Sequence, residues 1–291
     1  MKETARTEAT CAAPVTVTTQ CARCGLTETT QSGAKLDHVW DWDHAATSED
    51  SQWIVASCKN GCTQKASKSA VVVPSAWDGV TATPWTAGDG SEANPYLIAS
   101  AENLAYLAQM VNTPGDDEEA KGGYAGKHFQ MTADVDLGGK KWTPIGNTSS
   151  LKFCGTFDGA LHSISGLSVE EATAANKGIG LFGQVIDATI WNVVIESGSV
   201  NATGTMTAGG GALVGRVGKG TQGTLIGGCS SRATVSGAPY AGGLVGHVAT
   251  GASVELVQSA CTAESITGLS SGIPGTGGLV GLTQGNMTIR G

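Results

Sequence analysis

Gly211-Ala212-Leu213-Val214-Gly215, Gly242-Gly243-Leu244-Val245-Gly246 and Gly277-Gly278-Leu279-Val280-Gly281 repeat one phrase, and Gly180-Leu181-Phe182-Gly183 is a fourth version of it. The closing glycines, at 183, 215, 246 and 281, lie 32, 31 and 35 residues apart. A fixed period of this size marks a repeat architecture. Each phrase leads into a short β-branched stretch, at residues 189–195, 223–227 and 253–257, and a shorter one follows at 233–236 and 264–267. Short strands punctuated by glycine predict a β-solenoid in which one repeat is one or two coils. Glycine suits the corners because it accepts positive φ and lets backbones approach closely.

Composition agrees. Of 291 residues, 43 are Gly and 8 Pro, only 14% are charged and 5% aromatic, and the net charge is −8. Such a chain lacks the Lys, Glu and Leu of a helical bundle and the basic surface of a nucleic-acid binder. No apolar run approaches the ~18 residues a membrane helix needs. Met1-Lys2-Glu3-Thr4 carries no apolar leader and the last residues, 286–291, open another strand, so the sequence reads as a piece of a longer protein.

The glycine phrases resemble the GLUG motif of extracellular repeat proteins, which include bacterial surface adhesins and the region before the catalytic domain of some immunoglobulin A peptidases. The preceding segments, Asn94-Pro95-Tyr96-Leu97-Ile98, Ala133-Asp134-Val135-Asp136-Leu137, Trp142-Thr143-Pro144-Ile145-Gly146 and Gly155-Thr156-Phe157-Asp158-Gly159, are similar in order to the module that opens many such solenoids. The resemblance covers roughly residues 90 to 291. It implies a right-handed parallel β-helix. A solenoid's first coil needs a cover, and residues 101–112 predict it: Ser100 is an N-cap, Leu104, Leu107, Ala108 and Val111 fall at helical spacing, and Thr113-Pro114-Gly115 ends the helix. Residues 116–123 are expected to be a solvated loop.

Five of the 8 cysteines precede residue 63. Cys21-x2-Cys24 and Cys58-x3-Cys62 belong to a duplicated unit with an offset of 37, in which Ser48 stands where the first copy has Cys11. Four thiolates in two short loops suit tetrahedral zinc; the alternatives are disulfides, which suit a secreted chain, and free thiols. The separation between the pairs, 34 positions from Cys24 to Cys58, exceeds the usual zinc-ribbon spacing. His38 and His44 are further candidate ligands. Gly25 after Cys24 excludes a haem site, and no βαβ pattern supports a thioredoxin reading. The unit resembles the tandem Cys-x-x-Cys-Gly repeats, ending in His-x-Trp, of surface proteins from gut Gram-positive bacteria. Cys229 and Cys261, 32 residues apart, are expected at equivalent positions of successive repeats.

For catalysis, Asp134 and Asp136 share a strand face and Asp158 follows. Such carboxylates serve sugar hydrolysis or calcium, but Asp-Gly is also an ordinary turn, and no dense calcium loop is present. Gly268-Leu269-Ser270-Ser271-Gly272 lacks the strand and helix of a nucleophile elbow, and His-Glu-x-x-His is absent. His162 is expected to be a satisfied strand residue and His247 a corner residue. Trp40, Trp42, Trp53, Trp77 and Trp85 are sugar stackers or core fillers.

The resulting expectation is a Cys-rich module at 1–66, a linker at 67–92, a solenoid-opening module at 93–170 and repeats at 171–291. The function expected is a noncatalytic, secreted or cell-surface adhesin or spacer, with a host glycoprotein, glycan or matrix ligand as partner. Alternatives are the noncatalytic region of an immunoglobulin-cleaving metallopeptidase and a carbohydrate-binding or carbohydrate-active β-helix.

Overall fold

The structure, a computed structural model, describes residues 1–6, 16–32, 34, 36–41, 46–47, 53–60, 65–69, 76–148, 150–172, 177–203, 208–269 and 275–291. Two compact units divide the chain, Met1–Val73 and Pro74–Gly291.

The first unit holds two antiparallel three-stranded sheets. One joins Lys2–Arg6, Thr16–Gln20 and Thr27–Gln31; the other joins Ala46–Thr47, Trp53–Ser57 and Lys65–Ser69. The duplication is visible in them. Thr16–Gln20 and Trp53–Ser57 are 37 residues apart, whereas Thr27–Gln31 and Lys65–Ser69 are 38 apart, the increment being the extra residue of Cys58-x3-Cys62. The last strand runs to Ser69, across the boundary drawn at residue 66.

The second unit is a parallel β-solenoid of about six turns. A turn beginning at Thr156 runs through Thr156–Asp158, Ser163–Ser165, Leu167–Ala172, Lys177–Ile179 and Phe182–Val185, and Thr189–Trp191 then pairs back onto Thr156–Asp158 in register. One repeat is therefore one coil. Five parallel sheets result, the longest with seven strands, from Tyr96–Ile98 to Asn286–Arg290. Trp77 and Trp85, placed in the linker by the sequence reading, belong to this unit's core: Trp77 meets Trp142 edge-on at 5.7 Å, and Trp85 meets Tyr96, Tyr106, Tyr124 and Phe129.

Helix α1, Ala101–Asn112, lies between the first two strands of the long sheet, and Ser100 Oγ accepts from the Asn103 N–H as an N-cap. Its Leu104, Leu107, Ala108 and Val111 are buried. The segment expected to be a loop holds a single helical turn, α2, Glu118–Lys121, because Asp117 Oδ1 caps the Ala120 N–H at 2.9 Å and Ala120 is buried.

The glycine phrase closes each coil. Its first glycine ends one strand, or in Gly180 directly follows it, and its last sits within the next: Gly180, Gly211, Gly242 and Gly277 align, as do Gly183, Gly215, Gly246 and Gly281. None of these eight has a positive φ. Their reason is close approach: a Cβ on Gly215 would overlap the Ile179 amide and Gly178, and one on Gly281 would lie 2.7 Å from Ala241 N. Between the glycines, Leu181, Leu213 and Leu244, then Phe182, Val214 and Val245, are wholly buried. Gly215→Ala is accordingly expected to cost about 2–3 kcal/mol or more, since only backbone surrounds the site. Gly278→Ala, with nothing within 4 Å, should be nearly neutral. Urea unfolding midpoints of the two variants test this contrast.

Candidate functional site

The outer face of the seven-stranded sheet is the most extended regular surface of the solenoid. Strand alternation sends Phe129, Phe157, Ile190, Ile226 and Leu256 inward. Two aligned columns face outward. One is His128, Thr156, Thr189, Leu225, Glu255 and Thr288; the other is Gln130, Asp158, Trp191, Gly227, Val257 and Arg290. Trp191 lies against Gly227 of the next coil, where any Cβ would overlap the indole ring. Beside it is a groove of about 370 Å³ lined by His128, Gln130, Thr156, Asp158, Thr189 and Trp191, with Glu92 and Pro95 contributing. Farther along the face a groove of about 310 Å³ is lined by Gln222, Leu225, Ser253, Glu255 and Thr288. Trp191 was absent from the sequence candidates; only its seat on a glycine one coil away sets it apart.

The three candidate carboxylates bind backbone and neighbouring coils. Asp134 Oδ1 accepts from Ser163 N–H at 2.8 Å and lies 3.4 Å from His162 Nδ1. The Ser163 N–H holds its carboxyl below the usual range, against a smaller opposing effect of burial. Asp136 Oδ1 accepts from Gly138 N–H at 2.8 Å and Ser165 Oγ at 3.2 Å. Asp158 Oδ1 accepts from Ala160 N–H at 2.8 Å and Asn192 Nδ2 at 3.1 Å. Ala160 and Leu161 both have positive φ, so the Asp-Gly turn reading describes the local geometry.

Among the described residues, the carboxylate accepting the most hydrogen bonds is one the sequence did not flag. Asp187, at φ 51, accepts from the N–H groups of Thr221, Gln222 and Gly223 at 2.8–2.9 Å and from the Thr221 hydroxyl at 3.2 Å. Burial raises its pKa, but the three N–H groups together outweigh this and hold it below the ordinary value. A carboxyl held below its unfolded value adds stability that is complete above about pH 5 and is lost as pH falls through the folded value. Asp187→Ala should cost about 1–3 kcal/mol at pH 7. It should also flatten the decline in thermal midpoint between about pH 5 and pH 2, which calorimetry across that range measures.

Two histidines bracket the expectation. His162 precedes the strand Ser163–Ser165 and meets Asp134. His247 is within the strand Val245–Val248 rather than at a corner, 7% exposed, with Nε2 3.0 Å from Gln284 Oε1. It is carried inward because Gly246, its neighbour, lets two sheets close on each other.

Cys229 and Cys261 are not at equivalent positions. Cys261 aligns with Ser231, and Cys229 N–H donates to Ser259 Oγ, so the two are two residues out of register. The expectation took 32 as one period, whereas the offset between these two coils is 30 residues. In the first unit, Cys21 and Cys24 share a turn in which the Cys24 thiol and the N–H groups of Arg23 and Cys24 lower the Cys21 pKa. Cys58 is buried and its backbone pairs antiparallel with that of Trp40, whose ring stacks on His38 at 4.9 Å. Cys11, Cys62, His44, Trp42 and Ser270 lie outside the described residues. Among the described residues no three His, Cys, Asp or Glu side chains gather for a metal ion.

No family model matches the chain. Halomucin of Haloquadratum walsbyi is 30% identical over 181 residues, 59% of this chain and 2% of that protein. A protein named as a Gly-rich membrane protein, from Evansella cellulosilytica, is 36% identical over 104 residues, 34% of this chain and 10% of its own length. The chain thus matches small fractions of both relatives. Among solved structures, a protein named as an immunoglobulin A1 protease from Bacteroides ovatus is similar at 20% identity and a TM-score of 0.42, over 69% of this chain and 66% of that one. No helix among the described residues is long and apolar enough to cross a membrane.

Proposed function

We propose that the chain is a noncatalytic part of a secreted or cell-surface repeat protein of the GLUG kind, working as a spacer that presents a ligand-binding face. The observation that carries this reading is the continuous outer face of the seven-stranded sheet, built by one coil per repeat. A solenoid lengthens by adding coils without altering those already present, which suits reach. Asp134, Asp136 and Asp158 are committed to turns and inter-coil hydrogen bonds, which supports the noncatalytic part. The similarity to a protein named as a membrane protein, and to Halomucin, supports the extracellular location. Helix α1 is the cover of the N-terminal end of the core, and the winding is right-handed, the sense favoured by parallel crossovers.

Surface plasmon resonance of this chain over immobilised mucin, fibronectin and collagen should show saturable binding to at least one. Hydrolysis of polysaccharide by the chain, abolished in Asp158→Asn, would sink the noncatalytic reading.

The Cys-rich module is a stapled structural unit in the same proposal. The described side chains of Lys2–Arg6 and Thr27–Gln31 are exposed throughout, so the outer strands of the first sheet bury little of their own. A unit this size then needs covalent or metal staples. Zinc on Cys21, Cys24, Cys58 and Cys62, or disulfides among them, would supply these; calcium has no ligand loop. Metal analysis with thiol counting on the protein purified without chelator should find one zinc, or no free thiol at these four positions. Four reactive thiols and no metal would refute both.

A further inference from the structure

We propose that the groove beside Trp191 binds the sugar rings of a neutral glycan. This rests on the ligand-presenting reading above and names the ligand class and its seat. The first ground is the aromatic wall. Trp191 is half-buried and held against Gly227, whose missing side chain is what lets the indole settle there. An aromatic side chain fixed in this way offers apolar surface with little ordering cost, and the C–H faces of a pyranose are the apolar part of an otherwise hydroxylated molecule.

The second ground is the polar floor. Gln130 offers an amide, Thr156 a hydroxyl and Asp158 a carboxylate, on adjacent strands within the same depression. Asp158 Oδ1 is fixed by Ala160 N–H and Asn192 Nδ2, so the carboxylate is already oriented, with Oδ2 as a further acceptor for ligand hydroxyls. Neighbouring strands are about 4.8 Å apart, which makes a groove crossing three strands roughly 10 Å long. Its volume, about 370 Å³, is in the range of small-ligand sites.

The third ground is charge. The lining contains Glu92 and Asp158 and no Lys or Arg. With two carboxylates against the single imidazole of His128, the groove repels nucleic acid, phosphate and sulfated or uronic sugars, leaving neutral hydroxyl-rich chains as the matching ligand.

Isothermal titration of the chain with neutral hexasaccharides of glucose, mannose and galactose, and with a heparin hexasaccharide as the anionic control, tests the assignment. At least one neutral oligosaccharide should bind and heparin should not. Trp191→Ala should weaken that binding at least tenfold and Trp191→Phe less, while Glu196→Gln, on an exposed pair with Arg232, should leave it unchanged. Circular dichroism melts establish that each variant is folded. Binding by none of the three, equal binding by folded Trp191→Ala, or preference for heparin overturns the proposal. Undiminished binding to mucin after its deglycosylation would keep the surface-binding reading and overturn the groove. Oligosaccharide binding without attachment to any coated surface would do the reverse.

Discussion

Backbone-to-backbone contact between two strands of each coil is the constraint on which the solenoid depends. Gly178, Gly209 and Gly275 face Gly183, Gly215 and Gly281, where any side chain would enter the opposing main chain. Because the strands on either side of the Leu-Val turn close on each other without side chains between them, the turn residues are driven into the core. Three coils repeat this closure with glycine on both sides and a fourth has Tyr240 on one side, and the aligned Leu and Val positions form continuous apolar columns. The cost of glycine's conformational freedom is met by packing that no larger residue permits.

What connects the closures is far less uniform. Between Val185 and Thr189 the connector is three residues, between Val217 and Thr224 it is six, and between Val248 and Ser253 it is four. The longest of these is the one gripped by Asp187, which satisfies three backbone N–H groups that would otherwise face solvent without a strand partner. Connector length does not track the spacing of the glycine phrases, since the six-residue connector lies in the shortest interval of 31, yet the sheets remain in register.

This division also sets what the sequence made legible. The solenoid class and helix α1 follow from local signals, a recurring phrase and a capped amphipathic run, and both concern residues close in the chain. The Cys229–Cys261 expectation failed because it assumed a constant period across a corner whose length changes, and one changed connector shifts every later residue. Asp187 was invisible because its partners are some 35 residues away and its left-handed backbone carries no glycine to announce it. Trp191 looked like any strand aromatic. Its distinction is relational, resting on Gly227 in the next coil, and a one-dimensional reading has no access to that relation.

The same relational logic governs the least expected column. Gln184, Arg216, His247 and Leu282 align on successive coils, three of them polar. Tyr240 takes the place held by Gly178, Gly209 and Gly275 in the other coils, and its ring packs on His247 at 4.8 Å, so a Gly position is filled and matched within one coil. Burial holds the His247 pKa below its ordinary value, opposed by the Gln284 hydrogen bond and reinforced by the Arg216 charge. At neutral pH the imidazole is therefore uncharged. Arg216 is itself half-buried, and a second cation one coil away, about 4.8 Å, would cost roughly 3 kcal/mol at an effective dielectric near 20. A column in which neutral Gln and neutral His flank one guanidinium avoids that repulsion, and histidine is the side chain whose ordinary titration already lies close to neutrality, so burial keeps it uncharged there.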